Sequence, residues 1–400
     1  MGGITIVGAI YVERCIQPLW NAVYGSGGRA AAAIAHLITG ETTLVSYIAE
    51  PLRKDAESLA AMSGFKLVAE PAPKAIVFDY LHPLSTPSIH PPLHDLPHLD
   101  PIRVVGDVVL RYGMLEGDAV VDAAIAVYDP QSAFGARRFG ENGSKAGHLA
   151  VVLNRAEAAD MTGQRDPHAA AAQLIADGAE VVVVKMGSHG ALVITREGET
   201  LVPAYRTERV WKIGSGDVFS ATFTALWACR GMPPAEAAHA ASRAVAQYSE
   251  TRSLPVMEPA ALAARPYQPV RPGRGTIYLA APFFDIGQRW LVEESRMVLR
   301  GLGAEVFSPC HEVGPGPANV VAPRDIEGLD RADVLFAVLN GLDPGTIFEV
   351  GYAVRRGIPV VALAQNVKEE DLKMVVGTGC DVVDDLATAA YRAVWQLPPE

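Results

Sequence analysis

Apolar and polar positions divide the first 260 or so residues into alternating strands and helices. Short apolar runs rich in β-branched residues predict strands at 4–10, 42–49, 124–130 and 180–187 and a hairpin over 190–205. Alanine-rich or amphipathic stretches between them predict helices at 27–38, 53–64, 167–179 and 215–231. Apolar strands separated by helices are typical of a mainly parallel sheet covered on both faces. We therefore predict a three-layer α/β/α domain.

A break in this pattern separates the first part from a smaller second part. Residues 265–275 hold three prolines and two glycines without periodicity, which is typical of a linker. Strands then alternate with helices again, with strands predicted at 276–282, 304–309, 332–340 and 358–364 and helices at 288–303 and 345–357. The prediction is a domain at 1–264, a linker at 265–275 and a smaller doubly wound, flavodoxin-like or Rossmann-like α/β domain at 276–400.

Composition excludes several classes of protein. The 400 residues are 50% hydrophobic and 20% charged, which excludes a disordered or fibrous chain. The net charge of −11, without a basic tract, disfavours nucleic-acid binding. The apolar runs are too short to span a bilayer, and the first residues read as a strand rather than a leader. Four widely spaced cysteines indicate a reducing compartment, so we predict a cytoplasmic protein without a membrane partner.

An unusual segment at 79–98 holds four of the ten histidines and is rich in proline. We predict a solvated loop or a lid over the first site. A metal site is the alternative, but frequent prolines prevent the histidines from sharing one helix face.

The sharpest chemistry in the first part lies where the helix at 215–231 begins. Gly214, Ser215 and Gly216 allow backbone N–H groups to converge on an anion, and the helix N-terminus adds partial positive charge. Such a cradle would stabilise a transferred phosphoryl group, and Asp217 beside it would accept the proton of an attacking hydroxyl. The alternative is a glycine-rich N-cap with a capping aspartate.

Several segments together resemble the PfkB (ribokinase-like) family of sugar and nucleoside kinases. The family signature ends in Gly-Ala-Gly-Asp before a helix, as 214–217 do here with Ser215 in place of alanine. The segment 183–190 is similar to the strand and turn beside ATP, 124–131 to the central strand that ends in Asp129, and 24–35 to the sugar-binding turn and helix. The resemblance covers roughly 1–260 and implies a ribokinase-like fold.

The resemblance also implies site residues and cofactors. Asp217 would be the catalytic base and Gly214–Gly216 the anion hole. The implied nucleotide-binding residues are Lys185, Gly187 and Gly190, and the implied substrate-binding residues are Gly27 and Gly28. The segment Asn154-Arg-Ala-Glu157 matches the family's Asn-x-x-Glu element, which is associated with Mg²⁺ and phosphate. ATP and Mg²⁺ are therefore the implied cofactors.

Three departures from the family pattern concern the acceptor side. The aspartate usual after the first strand is replaced by the segment Gly8-Ala-Ile-Tyr-Val-Glu-Arg, and the asparagine after the Gly-Gly turn is Ala32. Trp211-Lys212-Ile213 stands where the family has Asp-Thr-Thr. Lys212 would supply a cation to the phosphates or, as we predict, be an ordinary exposed lysine. The acceptor is then unusual, or the domain binds its ligands without turnover.

The second part carries an independent set of acidic residues. Cleavage of a glycosidic bond passes through an oxocarbenium-like state that one carboxylate can trap while a second acidic group assists the leaving base. Asp343 precedes the helix at 345–357, and Glu349 lies within it. The apolar neighbours Ile347, Phe348 and Val350 predict partial burial and a raised pKa for Glu349. A helix start explains Asp343 equally well, and a buried glutamate can merely be paired.

Three segments of the second part resemble the nucleoside 2-deoxyribosyltransferase family, which includes nucleotide N-glycoside hydrolases. They are Tyr278-Leu-Ala-Ala-Pro-Phe-Phe, Ala332-Asp-Val-Leu-Phe-Ala-Val-Leu and Asp343-Pro-Gly-Thr-Ile-Phe-Glu-Val-Gly-Tyr-Ala. The resemblance implies Glu349 as nucleophile, with Asp343 and Asp325 contacting the sugar or base and Tyr278 orienting Glu349. It also implies a homo-oligomer. Water as acceptor would give a hydrolase, and a second base would give a transferase.

Together these features predict a bifunctional enzyme that acts on a small nucleoside, nucleotide or sugar. One domain would phosphorylate a hydroxyl with ATP, and the other would cleave or exchange an N-glycosidic bond. Two alternatives are a sugar kinase with an inactive C-terminal appendage and a nucleotide-binding sensor domain that regulates a nucleotide N-glycosidase.

Overall fold

The computed structural model describes residues 2–271 and 273–399, which fall into two compact units. The first unit is Met1–Pro269 and the second is Val270–Glu400. The predicted linker at 265–275 overlaps this division, and its Pro272 lies outside the described residues.

The first unit consists of a large sheet, a small sheet and flanking helices. Its strands are β1 Ile4–Val7, β2 Val12–Cys15, β3 Trp20–Val23, β4 Thr42–Ala49, β5 Lys66–Ala72, β6 Val77–Tyr80, β7 Ser88–His90, β8 Ile102–Tyr112, β9 Ala119–Asp129, β10 Lys145–Asn154, β11 Val181–Lys185, β12 Ala191–Thr195 and β13 Gly198–Val202. Its helices are α1 Gly25–Ala33, α2 Arg53–Ser63, α3 Arg155–Thr162, α4 Pro167–Ala176, α5 Ser215–Thr224, α6 Pro234–Thr251 and α7 Pro259–Ala264.

The large sheet has the order β13-β12-β11-β10-β9-β8-β1-β4-β5. Its strands are parallel from β5 to β11, and the β12–β13 hairpin adds two antiparallel strands at one edge. Residues of α1, α2, α5, α6 and α7 share a core with one face of the sheet, and residues of α3 and α4 share a core with the other. Because both faces are covered, a strand such as β11 is apolar along nearly its whole length. The predicted three layers are present.

Two parts of this unit differ from the sequence prediction. The pattern does not reveal strand β8, because Arg103 and Asp107 interrupt its apolar run. It also does not reveal the small sheet, which has the order β3-β2-β6-β7 and takes up part of the segment predicted as a loop at 79–98. The helix predicted at 27–38 spans Gly25–Ala33, and the helix predicted at 215–231 ends in a π-helical turn over Ala225–Cys229.

The second unit is a five-stranded parallel sheet with helices on both faces. Its strands are β14 Thr276–Ala280, β15 Glu305–Phe307, β16 Val334–Val338, β17 Val360–Leu363 and β18 Asp381–Val383. Its helices are α8 Ile286–Gly301, α9 Pro309–Glu312, α10 Ala318–Asp330, α11 Pro344–Arg356, α12 Lys373–Gly377 and α13 Leu386–Val394. The strand order β15-β14-β16-β17-β18 is the flavodoxin-like order, as predicted for this half.

The helices of the second unit pack against its parallel sheet. Residues of α10, α11 and α12 share a core with one face of the sheet. Helix α8 contacts β14 and β15, and α13 contacts β16, β17 and β18. Strand β16 is buried throughout, as expected for a central strand. Within the described residues of the chain, the helices lack the combination of length and apolar character that a membrane crossing requires.

Candidate functional site

A cavity of about 710 Å³ lies at the carboxyl edge of the large sheet. Strands β10 and β11 end beside each other at this edge, and their last residues, Asn154 and Lys185, line the cavity. The N-terminus of α5 lines it as well, with Gly216 and Asp217 in its first turn. The carboxyl edge of a parallel sheet is where doubly wound folds place their ligands.

The backbone before α5 requires glycine at position 214. Gly214 is the N-cap residue with φ +75°, and a Cβ there would lie 2.1 Å from Nε of Arg29. The N–H of Ser215 donates to the carbonyl of Lys212, whereas the N–H groups of Gly216 and Asp217 belong to the helix turn that has no intrahelical acceptor. The segment predicted as an anion hole therefore presents, at the edge of the cavity, two N–H groups without a backbone acceptor among the described residues.

Asp217, the predicted base, has both carboxylate oxygens occupied. Its Oδ2 lies 2.9 Å from Nη1 of Arg29, and its Oδ1 accepts a hydrogen bond of 2.6 Å from Nε2 of Gln131. The side chain is buried but borders the cavity. An acceptor hydroxyl that reaches Oδ1 displaces Gln131 or shares this oxygen with it.

Arg29 is the centre of a buried ionic cluster that the sequence did not reveal. Its side chain is 1% exposed and pairs through both terminal nitrogens with Glu13 of β2, while Nε donates to the hydroxyl of Tyr248. Glu13 lies within the segment that departs from the family pattern, and both residues line the cavity. The one available signal was an arginine in an otherwise small-residue helix.

Lys185 is held by a second buried pair. Its Nζ lies 2.5 Å from Oδ2 of Asp129, which also accepts a 2.6 Å hydrogen bond from Ser220 Oγ. Asp129 is fully buried, and burial raises the pKa of its carboxyl although Lys185 opposes this. The pair keeps the Lys185 ammonium at the edge of the cavity.

Lys212 corrects the prediction of an exposed lysine. Its side chain is half-buried and lines the cavity, and its Nζ donates to Ser215 Oγ at 2.9 Å. Burial, together with the nearby charge of Lys185, lowers the pKa of Lys212 to about 8.

The predicted glycines fall into two groups. Gly187 lines the cavity, as predicted for a nucleotide site, whereas Gly190 closes the turn before β12 with its backbone against Val202. Gly27 and Gly28 pack inward, because a Cβ at Gly27 would lie 2.7 Å from the carbonyl of Gly8. The residues of this turn that line the cavity are Gly25, Ser26 and Arg29.

Asn154 and Glu157, the predicted Mg²⁺-associated pair, form a reciprocal helix cap. Asn154 Oδ1 accepts from the N–H groups of Ala156 and Glu157, and Glu157 Oε2 accepts from the N–H of Asn154 at 2.7 Å. Both side chains also line the cavity. Within residues 2–271 and 273–399, side chains of histidine, cysteine, aspartate and glutamate do not gather in a group of three that would hold a metal ion.

The small sheet supplies an aromatic wall to the cavity. Tyr11 and Phe78 stack with ring centroids 5.4 Å apart, and Phe78 stacks on Tyr80 at 6.3 Å. The hydroxyl of Tyr11 donates to the buried Glu116, which fixes the ring. Part of the segment predicted as a loop or lid, including Ile89, lines the same cavity.

Glu349 of the second unit lies against Tyr278. The Tyr278 hydroxyl donates to Glu349 Oε1 at 2.6 Å, from the fully buried side chain of a β14 residue. Burial raises the pKa of Glu349 to about 7, which agrees with the predicted direction. Of the apolar neighbours named in the prediction, Val350 is buried, whereas Phe348 is 64% exposed.

Two further acidic residues affect the pKa of Glu349. Asp325 of α10 and Asp343 at the N-cap of α11 both raise the pKa of Glu349 by charge repulsion. Asp343 Oδ2 caps α11 by accepting from the N–H and the hydroxyl of Thr346. Asp325 is partly buried, and its Oδ1 lacks a hydrogen-bond partner among the described residues. Tyr278 and Glu349 are thus in contact, and the charges of Asp325 and Asp343 act on Glu349.

Comparison with known families matches one model to each unit. The model of the pfkB family carbohydrate kinases matches residues 146–257, and that of nucleoside 2-deoxyribosyltransferase matches 277–382. Both predicted resemblances are confirmed. We call Met1–Pro269 the PfkB unit and Val270–Glu400 the deoxyribosyltransferase-like unit. The match to the PfkB unit confirms its ribokinase-like fold.

Three of the solved structures that are similar to this chain are kinases. Ribokinase from Thermotoga maritima is 18% identical, with a TM-score of 0.48 over 66% of this chain and 99% of its own. Fructokinase from Vibrio cholerae O395, bound to fructose, ADP and a calcium ion, is 17% identical, with a TM-score of 0.48 over 66% and 98%. Aminoimidazole riboside kinase from Salmonella enterica, complexed with its riboside and an ATP analogue, is 16% identical, with a TM-score of 0.46 over 65% and 98%. No curated protein matches the chain.

Proposed function

We propose that the chain is a bifunctional enzyme of nucleoside or sugar metabolism. The PfkB unit phosphorylates a hydroxyl group with ATP, and the deoxyribosyltransferase-like unit cleaves or exchanges an N-glycosidic bond. The observation that carries the kinase assignment is the position of Asp217. This residue lies in the first turn of α5 and borders the cavity of about 710 Å³. The observation that carries the second assignment is the hydrogen bond between Tyr278 and Glu349.

Phosphoryl transfer in the PfkB unit begins at Asp217. Its carboxylate accepts the proton of the acceptor hydroxyl once Gln131 has given up Oδ1, and the hydroxyl oxygen forms a bond to the γ-phosphorus. The bond between the γ-phosphorus and the leaving oxygen of ADP breaks. Negative charge on the transferred group meets the N–H groups of Gly216 and Asp217 at the N-terminus of α5.

The same cavity fits a Mg²⁺ ion held mainly by phosphate and water. Glu157 uses Oε2 for the helix cap, and it borders the cavity beside Asn154. A single carboxylate of this kind suits Mg²⁺, which keeps several waters and binds through one or two carboxylates plus substrate phosphates. When bound, the ion would neutralise charge on the donor phosphates.

The acceptor side of the cavity favours a nucleoside over a simple sugar. The stacked rings of Tyr11, Phe78 and Tyr80 present an aromatic wall, and a planar base gains stacking energy there. The residues Glu13 and Arg29 on the same side are already paired with each other, so they offer fewer free groups to sugar hydroxyls. This combination supports a nucleoside as the acceptor.

Glycosidic cleavage in the second unit uses Glu349 as nucleophile. Its ionised carboxylate attacks the anomeric carbon while the bond to the base breaks, and the base takes up a proton from a second acidic group or from water as it leaves. Tyr278 holds Oε1 in place through its hydrogen bond, which leaves the other oxygen for the attack. Water or a second base then releases the sugar from Glu349. Asp325 and Asp343 lie close enough to influence the charge of Glu349 and would contact the sugar or base.

One panel tests both activities. The full-length protein is incubated with nucleosides and nucleotides plus ATP and Mg²⁺, and the release of ADP and of free base is measured. Asp217→Asn should abolish ADP formation while free base is still released, and Glu349→Gln should have the opposite effect. Absence of base release from the wild type, with ADP formation unchanged in Glu349→Gln, would indicate an inactive second unit, and base release that persists in Glu349→Gln would exclude Glu349 as nucleophile. ATP binding without ADP formation on any acceptor would indicate a sensor rather than a kinase.

A further inference from the structure

The positive groups that line the cavity of the PfkB unit differ in how they are neutralised. Arg29 pairs with Glu13 and Asp217, and Lys185 pairs with Asp129 at 2.5 Å. Lys212 is different, because among the described residues its hydrogen-bond partner is the hydroxyl of Ser215 and it has no carboxylate within ion-pair distance. A half-buried ammonium that lacks a directly paired carboxylate is costly unless an anion binds beside it.

The surroundings of Lys212 point to where that anion binds. Ser215, its partner, is the first residue of α5, so the Lys212 ammonium lies at the positive end of the helix. Gly214 and Gly216 line the cavity on the same side, and a Cβ at Gly216 would lie 3.6 Å from Nζ of Lys185. Two ammonium groups and a helix N-terminus therefore face one part of the cavity.

We propose that Lys212 is a catalytic residue of the PfkB unit, whose ammonium binds the transferred phosphoryl group of the donor. The proposal rests on the proposed kinase function and adds a residue that the family pattern does not contain at this position. Lys212 keeps its proton throughout. It lowers the barrier by placing a full positive charge next to oxygens that gain negative charge during transfer.

Three variants of the full-length protein test this role. Lys212→Met removes the charge and keeps most of the stem, Lys212→Arg keeps the charge, and Lys54→Met on the exposed face of α2 is the matched control. With ATP, Mg²⁺ and an accepted nucleoside, Lys212→Met should lower kcat by about 100-fold, whereas Lys212→Arg should lose less than about tenfold. The thermal unfolding midpoint of Lys212→Met should not fall, because the substitution removes a buried charge.

A binding measurement separates this proposal from the kinase assignment. Calorimetric titration with ATP and with pyrophosphate should show about tenfold weaker affinity in Lys212→Met than in Lys54→Met, whether or not the wild-type protein turns over. If the wild type forms no ADP but Lys212→Met still loses affinity, the kinase assignment fails and the phosphate contact stands. If Lys212→Met retains kcat or, in the absence of turnover, both affinities within twofold, the proposal is overturned.

Discussion

The guanidinium of Arg29 lies 2.9 Å from the Asp217 carboxylate, although 188 residues separate the two along the chain. The pair joins helix α1 to the first turn of α5 and closes one side of the cavity in the PfkB unit. Arg29 also binds Glu13, so two buried carboxylates share one buried guanidinium group. An ion pair at the proposed base does not remove the site, because the cavity remains beside it.

Removal of Arg29 should destabilise the PfkB unit. Arg29→Met leaves Glu13 and Asp217 buried without a counter-charge, and loss of one partner of a buried pair costs about 3–5 kcal/mol. The double variant Arg29→Met/Glu13→Gln removes one of the two stranded charges and should recover at least half of that loss. Urea unfolding followed by circular dichroism measures both. Equal stability of the two variants would contradict the pairing of Arg29 with both carboxylates.

Two neighbouring glycines should respond differently to alanine. Gly214→Ala places a Cβ against the Arg29 side chain at a left-handed backbone position, so we expect a loss of about 2 kcal/mol or more in the free energy of unfolding. Gly216→Ala meets only Lys185 Nζ at 3.6 Å and should fold normally, but its methyl group enters the anion site. Denaturation and ATP titration of both variants check this. A stable Gly214→Ala protein would show that the cluster rearranges freely.

Donor affinity should decrease as the pH rises through about 8. The pKa of Lys212 is lowered to about 8 by burial and by Lys185 on β11, while Asp217 on α5 acts in the opposite direction. A bound phosphate favours the protonated ammonium, so affinity is highest below this pKa and falls by up to about tenfold per pH unit above it. ATP titrations between pH 7 and 10 measure the profile, and Lys212→Met should lack the decrease.

Ionisation of Glu349 should make both the base release and the stability of the second unit depend on pH. Burial raises the pKa of its carboxyl from 4.5 to about 7, and Asp325 and Asp343 add to the shift against the Tyr278 hydrogen bond. The nucleophile must be ionised, so base release should increase as the pH rises through about 7. The folded state holds this proton more tightly than the unfolded state, so the stabilising contribution at low pH is lost between about 4.5 and 7.

Glu349→Gln tests the same shift through stability. The neutral amide does not ionise, so the variant should match the wild type at pH 4 and exceed it by about 1–3 kcal/mol at pH 8. Thermal unfolding at both pH values checks this, with the exposed residue Glu369 in the variant Glu369→Gln as the control. An equal stability difference at the two pH values would mean that the Glu349 carboxyl is not perturbed by burial.

The amino-acid sequence alone determined the features that depend on residues close together along the chain. Apolar runs predicted β4 at its observed bounds, Thr42–Ala49, and the spacing of Gly214, Gly216 and Asp217 predicted the start of α5. Short motifs were enough to indicate two families, because each motif shapes one turn or one helix end. Strand β8 was missed since its charged residues interrupt the apolar pattern on which the prediction depends.

Only the tertiary structure decided which side chains meet across the cavity. Glu13, Arg29 and Asp217 come from a strand and two helices that the fold brings together, and no local pattern encodes their pairing. Lys212 was predicted to be exposed but lies half-buried at the cavity, and the Asn154–Glu157 motif forms a helix cap as well as part of the cavity wall. Charges acquire their partners and their pKa values from three-dimensional packing, which sequence periodicity does not describe.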